Sequence, residues 1–145
     1  MFWGRKRHQD RDLIRDRDAL NAMGGELLKL ADFDFDKGSP LQQALVGTFF
    51  FGMVYAHGMA ARMSPPEIRA LALLVFQERL HYTPGAAVQA VQGCIDATRP
   101  GVHDAMRAIL HRGIDGHAQF VAGDVEGLAS NLHSLLDQFS SDGPT

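Results

Sequence analysis

The chain has one cysteine, one tryptophan, two tyrosines and four glutamates among its 145 residues. Each shortage excludes something. A lone Cys94 closes no internal disulfide and forms no paired-thiol motif; a single thiol in an apolar helical stretch reads as a small packed hydrophobe. A di-iron bundle uses two Glu-x-x-His pairs and two further glutamates, and of the four glutamates in all, Glu26, Glu67, Glu78 and Glu126, just one begins such a pair. "FQERLHY" holds one such pair, Glu78 with His81, and near a helix end these read as surface or capping residues. No segment alternates with period two and no hairpin turn joins β-branched runs, so strands are not supported. The longest apolar run, "ALVGTFFFGMVYA" over Ala44–Ala56, is shorter than the roughly 20 residues of a membrane span and reads as a buried core helix.

Positive charge is also scarce outside the first twenty residues. Residues 1–20 carry six Lys/Arg against four Asp, net +2, and residues 21–145 carry eight against thirteen Asp/Glu, net −5. An acidic body gives no general attraction to nucleic acid. The opening "MFWGRKRHQD" is basic, but charge-dense sequence follows where a secretory leader has its apolar stretch. A cytoplasmic protein is expected, in keeping with the unpaired cysteine. Residues 1–9 are read as a flexible basic N-terminus, 10–140 as one helical domain and 141–145 as a flexible tail.

What is present is helical periodicity. Leu13, Leu20, Met23, Leu27 and Leu30 mark a first helix starting near Asp10 or Asp12, with Gly24 and Gly25 weakening its middle. Ser39 and Pro40 then start a second helix running to about Met63, serine as cap and proline at the first helical position. It is apolar nearly all round and so belongs at the centre. Ala44, Thr48, Gly52, Ala56 and Ala60 recur every fourth residue along it, a ridge on which another helix can approach closely. "MSPPEIRALALL" is the clearest boundary: Ser64 caps, Pro65 opens the turn and Glu67 stands where a capping box has it. Thr83 with Pro84 starts a fourth helix with a stripe of Val88, Val91 and Ile95. A fifth begins near Val102, with Gly113 and Gly116 marking a kink or a close crossing. Gly123 stops it and Asp124 caps the last, which carries Leu128, Leu132 and Leu135. The expected fold is all-α, a single-domain bundle of about six helices around a central apolar one.

The motif that invites a chemical reading is "ADFDFDKGSP", residues 31–40, with Asp32, Asp34 and Asp36 on alternate positions. A calcium loop of the EF-hand type takes glycine at position 6 and a bidentate glutamate at 12. Here those positions hold Lys37 and Gln43, so the stretch reads as an acidic connector that tucks Phe33 and Phe35 inward and shows its carboxylates outward. His57 in "VYAHGMA" reads as a satisfied interior or pocket histidine. There is no HExxH, P-loop, GxSxG or CxxC pattern, and no cofactor or metal is expected.

The order of "FFFGMVYAHGMAARMSPPEIRALALLVFQERLHYT", "HRGIDG" and "AGDVEGLASNLHSLL" on successive helices resembles an all-α family of bacterial polymorphic-toxin immunity proteins, over residues 44–137. That resemblance implies a small cytoplasmic protein that binds a cognate toxin or effector domain and blocks it without chemistry of its own. Acidic bodies associate quickly with basic toxins through electrostatic steering. Asp32, Asp34 and Asp36 are then the first partner-binding candidates, with Tyr55, His57 and Tyr82 as polar-tipped aromatic contacts where they reach the surface. An alternative resemblance, to helical tellurite-resistance proteins, implies divalent-metal binding through Asp32, Asp34, Asp36 and Glu67. A third reading, an enzyme using His57 or Glu78 with His81, needs these side chains gathered in one concave site.

Overall fold

Serine or threonine followed by proline opens three of the helices, as capping chemistry dictates. A computed structural model describes the backbone of residues 2–141 and the side chains of residues 13–139. Its helices are α1 (Phe2–Leu30), α2 (Pro40–Ala60), α3 (Pro65–Leu80), α4 (Pro84–Ala97), α5 (Asp104–Val121) and α6 (Val125–Ser141), with a 3-10 turn at Phe35–Lys37 between α1 and α2. No strand occurs among the described residues. The chain is all-α.

The caps follow the expected chemistry. Ser39 and Ser64 each form a reciprocal capping box, with Gln42 and Glu67 respectively, Thr83 accepts from the Ala86 amide and Asp124 accepts from the Gly127 amide at 2.9 Å. Three boundaries differ from expectation, the second helix ending at Ala60 instead of near Met63. The first helix starts at Phe2, ahead of Asp10. No proline intervenes to stop it there. The fifth starts at Asp104 with the His103 ring accepting from the Met106 amide. The expected flexibility of residues 1–9 and 141–145 falls where side chains lie outside the described residues.

α2 contacts all five other helices, and ten consecutive residues, Leu45–Val54, are buried. An all-round apolar helix is stable only when neighbours cover every side, and this packing provides that. The small-residue ridge meets α5 at its tightest point. A methyl group added to Gly52 would fall on the Leu110 carbonyl oxygen and lie 2.9 Å from the Gly113 Cα; one added to Gly113 would fall on the Phe49 carbonyl. The Phe49 ring lies over Gly116 in the same way. Two backbones are therefore in direct contact, which only glycine on both helices permits. Gly24 is likewise a packing position: Phe50 and Arg79 occupy the space a β-carbon would take.

α5 and α6 are stitched by a polar cluster that periodicity does not reveal. Asn131 accepts from Arg112 Nε at 3.0 Å and donates to the Arg112 carbonyl and to Gln119 Oε1 at 2.9 and 3.1 Å, while Arg112 also donates to the Asn131 carbonyl at 2.7 Å. In α4 the buried stripe is Ala87, Val91, Cys94 and Ala97, with Ile95 packed against its edge. Val88, expected in that stripe, is exposed, because the helix turns its small Ala87 to the core instead.

Candidate functional site

The connector behaves as its alternation suggests, with one local difference. Phe35 is buried and Phe33 half-buried, while Asp32, Asp34 and Asp36 face solvent. The backbone, however, tightens into a 3-10 turn at Phe35–Lys37 instead of staying extended. The cause is Asp34, whose carboxylate accepts from the Asp36 amide, the side chain-to-backbone bond that makes aspartate a turn residue. The other two carboxylates reach different helices. Asp36 lies 3.2 Å from the Nδ1 of His81, and Asp32 lies 3.9 Å from the Nε2 of His133 in α6. His133 Nε2 also donates to the Leu30 carbonyl at the end of α1. His81 is the left-handed C-cap of α3, at φ 61°, a conformation that histidine tolerates better than most residues.

A shallow hollow lies on each flank. One, of about 450 Å³, includes Asp32, Phe33, Leu41 and His133 in its lining. The other, of about 410 Å³, includes Asp36, His81 and Tyr82. Thus Asp36 and Tyr82 are brought together and Asp32 stands across the connector from them. Tyr82 packs edge-on to Phe76 and stacks on Phe35, at centroid distances of 5.4 and 6.3 Å. Its hydroxyl points toward Gly47 of α2, so the ring flank rather than the polar tip faces outward. Burial, with the neighbouring Cys94 thiol second, pushes its phenol upward.

Tyr55 and His57 lie elsewhere. Tyr55 stacks on Phe51 at 6.3 Å and lines a groove of about 450 Å³ between α2, α3 and α4. His57 is half-buried, its Nε2 2.8 Å from the Asp16 carboxylate of α1, and its ring meets His117 of α5 edge-on at 6.0 Å. It ties three helices together. Burial, then the nearby His57, lowers the basicity of His117. Glu78 accepts from Asn21 at 3.3 Å and His81 serves the connector, so the Glu-x-x-His pair is divided between two jobs. Cys94 is buried; burial pushes its thiol up to about 12, against a smaller lowering by a hydrogen bond from Thr48. Such a thiol stays protonated and is a poor nucleophile. Among the described residues no three His, Cys, Asp or Glu side chains gather as a metal shell requires. Glu67 is engaged in its capping box, and the three aspartates diverge.

The family model for Immunity protein 48 matches residues 18–140. The chain belongs to that family. Immunity protein 48 membership thus takes in the C-terminal part of α1 from residue 18 and the whole connector, beyond the stretch 44–137 on which the sequence resemblance rests. No curated protein and no solved structure matches the chain. Among the described residues this Immunity protein 48 member has no helix long and apolar enough to cross a membrane.

Proposed function

We propose that the chain neutralises a cognate bacterial toxin or effector domain by binding it in the cytoplasm, without catalysis, cofactor or nucleic acid. The observation that carries this reading is the Immunity protein 48 match across nearly all the helical domain. The connector supports it as the first contact edge. Asp32 is 89% exposed and Asp36 57%, and Lys37 is the lone basic side chain within residues 31–43. Carboxylates presented this way accelerate encounter with a basic partner more than they tighten the final complex. We assign Asp32, Asp34, Asp36 and the flank of Tyr82 to this edge and Tyr55 to a neighbouring surface. His57, engaged by Asp16, holds the helices that carry them.

The test is co-purification with the protein encoded by the adjacent gene, at low and moderate salt, alongside growth protection when both are expressed. A stable one-to-one complex whose association slows about 10-fold when Asp32, Asp34 and Asp36 are all changed to Asn supports the reading. Absence of both complex and protection overturns neutralisation by binding. A complex that keeps its association rate with all three carboxylates neutralised removes the connector from the interface.

A further inference from the structure

We infer that the groove between α2, α3 and α4 is an anchor pocket for an apolar side chain that stands next to a carboxylate on the partner; this rests on the neutralisation reading. The groove is lined by Phe51, Tyr55, Met59, Met63, Ile68 and Ile95, with Pro65 and Pro66 at one end and Arg69 among them. Unlike the hollows beside the connector, its walls are overwhelmingly apolar. Met59 is 57% exposed at its edge. A concave apolar site with a few polar groups is the usual form of a binding pocket. Methionine, tyrosine and arginine are the residue types enriched where proteins meet.

The charge around it selects the occupant. Among the described residues Arg69 makes no hydrogen bond or ion pair, whereas Arg99 pairs with Asp96 and Arg112 with Asn131. The N-terminus of α3 is already satisfied, since Pro65 and Pro66 carry no amide hydrogen and the Glu67 carboxylate closes the capping box with Ser64, so Arg69 is the cationic group on this wall. Arg62, in the turn just before the groove residue Met63, is exposed and holds a left-handed φ of 58°. In a body otherwise net negative, this is a place that welcomes a carboxylate.

The groove and the hollow at Tyr82 are both lined by α2, α3 and α4, so they lie along one side of the molecule. Ala44 of the hollow and Tyr55 of the groove are eleven residues apart on α2, about 16 Å at the helical rise. That distance fits inside one standard protein interface. The partner surface is therefore polarised: basic where it meets the connector, apolar and acidic where it enters the groove.

The isolated protein decides the groove independently of any toxin. The probes are N-acetyl-phenylalanyl-aspartate amide and N-acetyl-phenylalanyl-lysine amide, titrated into isotope-labelled protein with amide shifts followed by NMR. Expected are millimolar binding that moves Tyr55, Arg69, Gln92 and Ile95, an affinity about 5-fold higher for the aspartyl probe, and loss of that preference in Arg69→Gln. No shifts at these residues, or equal affinities in the native protein, overturn the inference. A second arm uses the adjacent gene's product with Met59→Glu, a change at an exposed position that keeps the fold. At least about 10-fold weaker binding supports an anchor in the groove; unchanged binding overturns it while leaving neutralisation intact. A native protein that binds the dipeptide but not the gene product sinks the neutralisation reading alone.

Discussion

Replacing Gly52 with alanine tests the central packing claim, because the same substitution elsewhere in the chain carries the opposite sign. An added methyl at Gly52 meets the Leu110 carbonyl and the Gly113 backbone, and neither can rotate aside as a side chain would. Relief requires α2 and α5 to part by on the order of 1 Å, enough to forfeit a quarter to a half of each local dispersion contact. Overpacking costs about 1–3 kcal/mol where neighbours can adjust, and a rigid backbone puts Gly52 at or above the top of that range. The better helix propensity of alanine returns about 1 kcal/mol. The net loss is about 2–4 kcal/mol. With an unfolding entropy near 2.1 cal/mol/K per residue, a chain of this length loses about 3 °C of Tm per kcal/mol, hence about 6–12 °C. Gly93 in α4 is the control, since a methyl there would lie 3.8 Å from the end of Met106, an ordinary contact. Gly93→Ala then gains up to about 1 kcal/mol, or about 3 °C. Both variants are melted by circular dichroism and unfolded in urea. A Gly52→Ala protein within about 2 °C of the native would refute direct backbone contact between α2 and α5.

Other expectations follow from named contacts. Asn131→Ala leaves Arg112 and its carbonyl short of partners across α5 and α6 and costs about 2 kcal/mol in urea unfolding; a cost under about 0.5 kcal/mol denies the cluster its role. In a double-mutant cycle, Asp16→Asn and His57→Gln couple by about 1–2 kcal/mol, and strict additivity denies a direct contact. Native Cys94 resists thiol-specific reagents at pH 8 until the protein is unfolded; rapid labelling contradicts its burial. Above the ordinary thiol value of 9 the unfolded chain releases a proton that folded Cys94 retains to about 12. Stability therefore falls as pH rises through that window, by on the order of 1 kcal/mol per pH unit, and Cys94→Ala softens the fall. The lowered basicity of His117 acts at the other end: the unfolded chain takes up a proton near 6.5 that the folded one declines. Stability then falls as pH drops through that region, and a His117→Gln variant with an equally steep acid profile sinks this attribution.

The helices were legible because their signals are local. Ser39, Ser64, Thr83 and Asp124 act within three residues of themselves, and the apolar stripes of α1 and α6 repeat at helical spacing. The glycine ridge was legible as a capacity for close approach, and Gly52 meets Gly113. Contacts between distant residues were not legible. Nothing near Asp36 in the sequence points to His81, 45 positions away, or near His133 to Leu30, 103 positions away. The groove was hidden for the same reason, since Tyr55, Arg69 and Ile95 converge from three helices. Tyr82 shows a further limit: its type suggested an outward hydroxyl, but packing against Phe35 and Phe76 turns that group toward α2.

The fastening of the connector bears on how selective the protein is. Its backbone is held by Asp34 from within and by Gln43 on the Phe35 carbonyl at 2.9 Å, while the Asp36 and Asp32 carboxylates meet His81 and His133, which lie far apart in sequence. Ordering a free loop on binding costs about 1–2 kcal/mol per residue of backbone entropy, and a strip already immobilised avoids most of that. The same rigidity denies it the re-packing by which promiscuous binders accommodate many surfaces. On the proposed reading of the connector as the contact edge, its fixed contour would suit few toxins, and a different specificity would call for a different contour rather than a more flexible one.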